Sequence, residues 1–109
     1  MVLFQANSMR GWKYLNTYSL TDHTTTINLS SVDFDEICIF VKVGTLNAYN
    51  QYIVPKAVFS LKDGSYIRSG NDTYNTTFSV QSALTLTNFY VTYAGTDKTS
   101  DSEAIIYYK

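Results

Sequence analysis

Glu36-Ile37-Cys38-Ile39-Phe40-Val41-Lys42-Val43-Gly44 sets the architecture of this chain. A period of two puts Ile37, Ile39, Val41 and Val43 on one side and Cys38 and Phe40 on the other, so both sides are apolar. Such a strand belongs in the interior of a sandwich or barrel, and all of these side chains are expected to be buried. Just upstream, Ser31-Val32-Asp33-Phe34-Asp35 carries side-chain oxygens that cap local N–H groups, and it reads as a tight connection or a single helical turn. Before that, Thr25–Ser30 reads as a short half-buried strand. Trp12, Tyr14, Asn16, Tyr18 and Leu20 alternate with polar neighbours and predict a first strand with a mostly aromatic face.

Downstream, Asn47–Gln51 reads as a polar loop holding Tyr49, and Tyr52–Leu61 as a strand whose Pro55 confines it to a sheet edge or a bulge. Asp63-Gly64 predicts a hairpin with Leu61 facing Tyr66, and Ser69-Gly70-Asn71-Asp72 predicts a second turn. Tyr74–Gln81, a Thr-rich stretch with Leu84 and Leu86, Phe89–Tyr93 and Ala104–Lys109 are further strands, with a polar loop over Gly95–Ser102. No segment has the length or pattern of a crossover helix. The prediction is an all-β fold, an antiparallel β-sandwich of about eight strands with jelly-roll-like wrapping.

The composition agrees. The 109 residues fit one domain, assigned to 12–109, with 1–11 an N-terminal segment or linker. Within the latter, Val2-Leu3-Phe4-Gln5 fits a viral protease tag site or a native strand equally well. Charged residues are only 16% of the chain, and 14 Thr, 11 Ser and 8 Asn supply an uncharged polar surface. With a formal net charge of −1 there is no field to draw nucleic acid or anionic lipid, so no nucleic-acid partner is expected. No stretch approaches the ~20 apolar residues of a membrane span, and the N-terminus lacks a basic region followed by an apolar core. Neither membrane insertion nor a signal peptide is therefore expected. Cys38, the single cysteine, reads as a buried inert thiol.

Chemistry-bearing constellations are sparse. His23 is the one histidine and sits in a polar turn beside Asp22, where a solvated residue is the simpler reading than a general base. Asp33, Asp35 and Glu36 form a carboxylate cluster that fits a capped turn better than a calcium loop. The remaining aspartates fall in turn sequences rather than as a pair flanking a cleft. No catalytic residue, metal site or cofactor is assigned, and the chain is read as a non-enzyme. Ten tyrosines are the unusual feature, since a tyrosine offers flat apolar area plus a hydroxyl at little rotamer cost. Tyr49, Asn50, Tyr66, Asn71 and Tyr74 lie in or beside polar loops and are the candidate ligand-binding residues: a saccharide stacks on a ring while amides bond its hydroxyls. Tyr14, Tyr18, Tyr52, Tyr93, Tyr107 and Tyr108 are read as filling strand faces and subunit contacts.

The order of features resembles the terminal receptor-binding modules of phage and prophage tail-fibre or baseplate proteins. Carrying the resemblance are Gly11-Trp12, Thr25-Thr26-Ile27-Asn28-Leu29 ahead of Phe34-Asp35-Glu36-Ile37-Cys38-Ile39-Phe40-Val41, then Tyr52-Ile53-Val54-Pro55 and Ile105-Ile106-Tyr107-Tyr108. It spans residues 11–109 as a pattern and brings no ligand motif, so no functional residue is transferred. It implies a β-sandwich assembled as a homotrimer, placed at a virion tail tip or otherwise outside the cell, binding a cell-surface glycan or protein receptor. The alternative is a monomeric carbohydrate-binding module or adhesin domain.

Overall fold

The computed structural model describes residues 10–61 and 65–109, the side chains of Ser65 and Tyr66 excepted. Among them the strands are β1 (Lys13–Leu20), β2 (Ile27–Asn28), β3 (Glu36–Lys42), β4 (Tyr49–Pro55), β5 (Ser65–Gly70), β6 (Tyr74–Gln81), β7 (Thr85–Tyr93), β8 (Thr96–Asp97) and β9 (Ser102–Tyr108). Two short 3-10 segments, Lys56–Ser60 and Thr99–Asp101, complete the described secondary structure. One sheet has the order β1-β9-β3-β4 and the other β2-β7-β6-β5, with β8 also paired to β7. All pairings are antiparallel.

The two sheets pack as the expected antiparallel sandwich, because each presents one apolar face and neither is stable alone. Ile37, Ile39 and Val41 of β3 meet Ile106 and Ala104 of β9 on the inner face of the first sheet. Phe78, Val80, Leu86, Phe89 and Val91 face them from the second, with the Phe78 and Phe89 rings stacked 5.5 Å apart. The pairing order establishes the sandwich without confirming a jelly-roll wrapping, with β3–β4 a hairpin in the first sheet and β5–β6–β7 successive antiparallel neighbours in the second.

Several local expectations need correction. Cys38 is buried as predicted, but Phe40 is only half-buried. Among the described residues no second layer covers the outer face of the first sheet, and Cys38 is shielded there by its own neighbours, including Gln51, whose Nε2 lies 3.7 Å from its sulfur. Nor is β1 aromatic on one face. A bulge shifts its register between Tyr14 and Asn16, leaving Tyr14 against Tyr107 on the outer face while Leu15, Tyr18 and Leu20 turn to the core.

Strand β4 starts at Tyr49 rather than Tyr52, so Tyr49, Asn50 and Gln51 are strand residues and not a loop. It is an edge strand ending at Pro55, as that proline requires. The Asp63-Gly64 turn lies outside the described residues, yet its flanks do not form a hairpin. The 3-10 segment after Pro55 carries the chain across, and β5 pairs with β6 in the other sheet. In β7 the inward face steps three residues, from Leu86 to Phe89, because a bulge at Asn88 (φ 55°) puts an extra residue opposite the Thr77–Ser79 stretch of β6.

Ile39 sits on the central strand with almost no exposure, so Ile39→Ala removes buried methyl groups where the surroundings relax least. Its expected cost in urea unfolding is ~2–5 kcal/mol, and a loss under ~1 kcal/mol contradicts a central β3.

Candidate functional site

The strand order gathers the β3–β4 turn, the β5–β6 turn, the β7–β8 turn and the β8–β9 connection at one end of the sandwich. Backbone bonds tie them together: Val43 N–H donates to Ala48, Asn71 N–H to Tyr74, Ala94 N–H to Thr73 and Lys98 N–H to Val91. Buried side chains do the rest. Asn50, on β4, points inward and its Nδ2 donates across the sandwich to Thr76 Oγ1 at 2.9 Å and to the Tyr74 carbonyl at 3.4 Å. Gly70 makes this approach possible: its φ is +99°, and a Cβ there would collide with the Tyr74 carbonyl and lie 2.7 Å from Asn50 Oδ1.

A second network fixes the β8–β9 connection. Asp97 Oδ1 accepts from the Thr99 N–H at 3.0 Å and the Thr99 hydroxyl at 2.7 Å, and the buried Thr99 Oγ1 accepts from the Val91 N–H at 2.9 Å. The other carboxylate oxygen, Oδ2, lies 2.7 Å from His23 Nε2, and the His23 ring stacks on Tyr90 at 4.2 Å and 14°. His23 is thus half-buried and anchored rather than a solvated turn residue, and it pins the β1–β2 loop to β8. Sequence carries no local signal for this pair, whose members are 74 residues apart.

Four of the five predicted binding residues come to this end. Tyr49 is 50% exposed and stands on the outer face opposite Lys42. Asn50 is buried in the bridge just described. Asn71 Oδ1 accepts from the Thr73 and Tyr74 N–H groups at 2.9 Å each, closing the turn. Tyr74 is half-buried, packs on the core and tilts against Tyr93 at 5.3 Å. Tyr66 stands apart: its backbone pairs with Ser79 in β5, away from the turn, and its side chain lies outside the described residues. Of the five, Tyr49 alone combines an exposed ring with a place at this end.

The carboxylate cluster expected before β3 is held by the backbone: Asp35 and Glu36 N–H donate to the Lys109 carbonyl, and Lys56 N–H donates to Asp35. Among the described residues no three potential metal ligands come together, and no helix is long and apolar enough to cross a membrane. The chain matches no family model, no curated protein and no solved structure.

The two Thr99 bonds, with His23 behind them, hold the Asp97 carboxyl below its usual value of 3.8, and bonds from Thr24 do the same for Asp22. A depressed carboxyl stabilises the fold above its unfolded pKa and loses that contribution as pH falls through the lower folded value. Melting temperature should therefore drop as the solution is taken from about pH 5 towards about pH 1, and Asp97→Asn should flatten that drop. An unchanged acid slope in the variant contradicts the assignment.

Proposed function

We propose that this protein is a non-enzymatic tail-tip module of a phage or prophage, binding a bacterial cell-surface receptor, glycan or protein, through the end of the sandwich where these turns converge. The observation that carries the reading is an exposed Tyr49 ring beside turns that are rigidly cross-braced by Asn50, Asn71 and Thr99. A preorganised aromatic surface loses little entropy on binding, which is how a small interface gains affinity. The uncharged polar composition suits a hydroxylated ligand, and the pattern resemblance to tail-fibre modules points the same way. Tyr74 packs on the core beneath the β5–β6 turn, and Asn71 closes that turn.

The assembly proposed is a homotrimer at a virion tail tip or otherwise outside the cell. It draws on the half of the first sheet's outer face away from Tyr49, where Tyr14 and Ile53 are exposed and the Tyr107 ring meets Tyr14 at 5.6 Å and Phe40 at 6.0 Å edge-on. An apolar face that the described residues leave uncovered is what contact with other copies would bury.

In a bacterial cell-binding assay, Tyr49→Ala should lose about thirtyfold in affinity, the ~2 kcal/mol of an aromatic anchor, with its melting temperature unchanged. Tyr74→Ala should lose stability along with binding, because that ring packs on the core. Parental binding by a folded Tyr49→Ala overturns the loop-end reading. Light scattering on the eluting peak checks assembly: a monomer that still binds is the carbohydrate-binding module or adhesin instead.

A further inference from the structure

Between the β3–β4 turn and the β8–β9 connection lies a recess of about 170 Å³. Val43, Leu46 and Tyr93 line its apolar part, and Thr45, Lys98 and Asp101 its polar part. Among the described residues neither the Lys98 ammonium nor the Asp101 carboxylate has an ion-pair partner. The backbone that carries Lys98 is braced against the β3–β4 turn. The Gly44 N–H donates to the buried Ser102 Oγ at 2.8 Å, and the Ser102 hydroxyl donates to the Lys98 carbonyl at 2.7 Å. The Lys98 stem then lies over Gly44, where a Cβ would meet its Cβ, Cγ and Cδ at 3.4, 3.6 and 3.8 Å.

We propose that this recess is a subsite for one uncharged pyranose ring, which rests on the receptor-binding reading and names the ligand class for it. The lining narrows the chemistry to a ligand that offers a donor and an acceptor together, and of these we take the uncharged one. An anion would face the Asp101 carboxylate and a cation the Lys98 ammonium. A purely apolar ligand would strip water from both charges and return nothing. A sugar ring offers what the recess lacks: a hydroxyl that donates to Asp101, a neighbouring hydroxyl oxygen that accepts from Lys98, and a face of C–H groups for Leu46 and Tyr93. Hydrogen bonds to charged groups are the strong ones, and a donor and an acceptor carried three residues apart on a braced backbone select among hydroxyl arrangements.

The test titrates the isotope-labelled full chain with the methyl glycosides of glucose, galactose, mannose and N-acetylglucosamine and follows its amide signals, with cell binding of the same preparation measured beside it. At least one glycoside should shift the Gly44, Leu46, Lys98 and Asp101 signals saturably in the millimolar range. Asp101→Ala and Lys98→Met, both at the rim, should each weaken that glycoside by about tenfold or more. The proposal is overturned if none of these glycosides moves the signals, or if both variants bind as the parent does. Cells bound by a chain whose recess stays silent would sink the subsite and leave the receptor reading standing. A recess that titrates in a chain that ignores cells would keep the subsite and sink the receptor reading.

Discussion

Strand β9 lies between β1 and β3, and the rest of the molecule depends on that insertion. It joins the two ends of the described chain in one sheet, pairing Tyr14 with Tyr107 and Leu20 with Ser102 on one side and Ile39 with Ile106 on the other. Without it β1 has no partner and β3 is left with β4 alone. Ile106 and Ala104 carry the inner face across the middle of the sheet, where the surroundings have least room to relax around a gap. Because such pairings close long loops, their entropy is met only once the sheet is complete, so the sandwich should form cooperatively.

The same strand roots the proposed recognition end. Its first residue, Ser102, is buried and bonds the β3–β4 turn, and the residues just before it carry Lys98 and Asp101. Asn50, Thr76, Thr99 and Ser102 are buried polar side chains gathered at this end, and among the described residues no buried side-chain nitrogen or oxygen lacks a partner. A satisfied polar network contributes less to stability than an apolar core of equal volume but fixes geometry more sharply. Division of labour follows: the apolar middle holds the sheets together, and the polar end holds turns in place.

Much of the fold was legible because its signals are local. The double-sided apolar run of β3, the bounds of β6 and the turn at Gly70-Asn71 follow from period and turn chemistry within a few residues. What was not legible depends on partners distant in sequence. Phe40 reads as core until one knows that among the described residues no layer covers its face. Asn50 reads as a loop amide, although its partner is Thr76 in the opposite sheet. The bulges after Tyr14 and at Asn88 invert a face without any change in composition. For the site, tyrosine beside asparagine near loops singled out Tyr49, Asn50, Asn71 and Tyr74, which the fold gathers at the end proposed for recognition, and Tyr66, which it does not. Lys98 and Asp101 carried no pattern, since a lysine and an aspartate in a polar loop are the commonest of surface residues.

A recognition surface preorganised by buried hydroxyls makes its most direct demand on amide hydrogen exchange. The Gly44 and Val91 N–H groups donate to Ser102 Oγ and Thr99 Oγ1, which are buried, and not to any carbonyl of a neighbouring strand. If this end is as rigid as the core, both amides should exchange as slowly as those of Ile39 and Ile106, through global unfolding. Exchange of Gly44 and Val91 at the rate of the exposed Thr45 and Ser100 amides, with Ile39 still protected, would show that the end opens independently and that its geometry is not preformed.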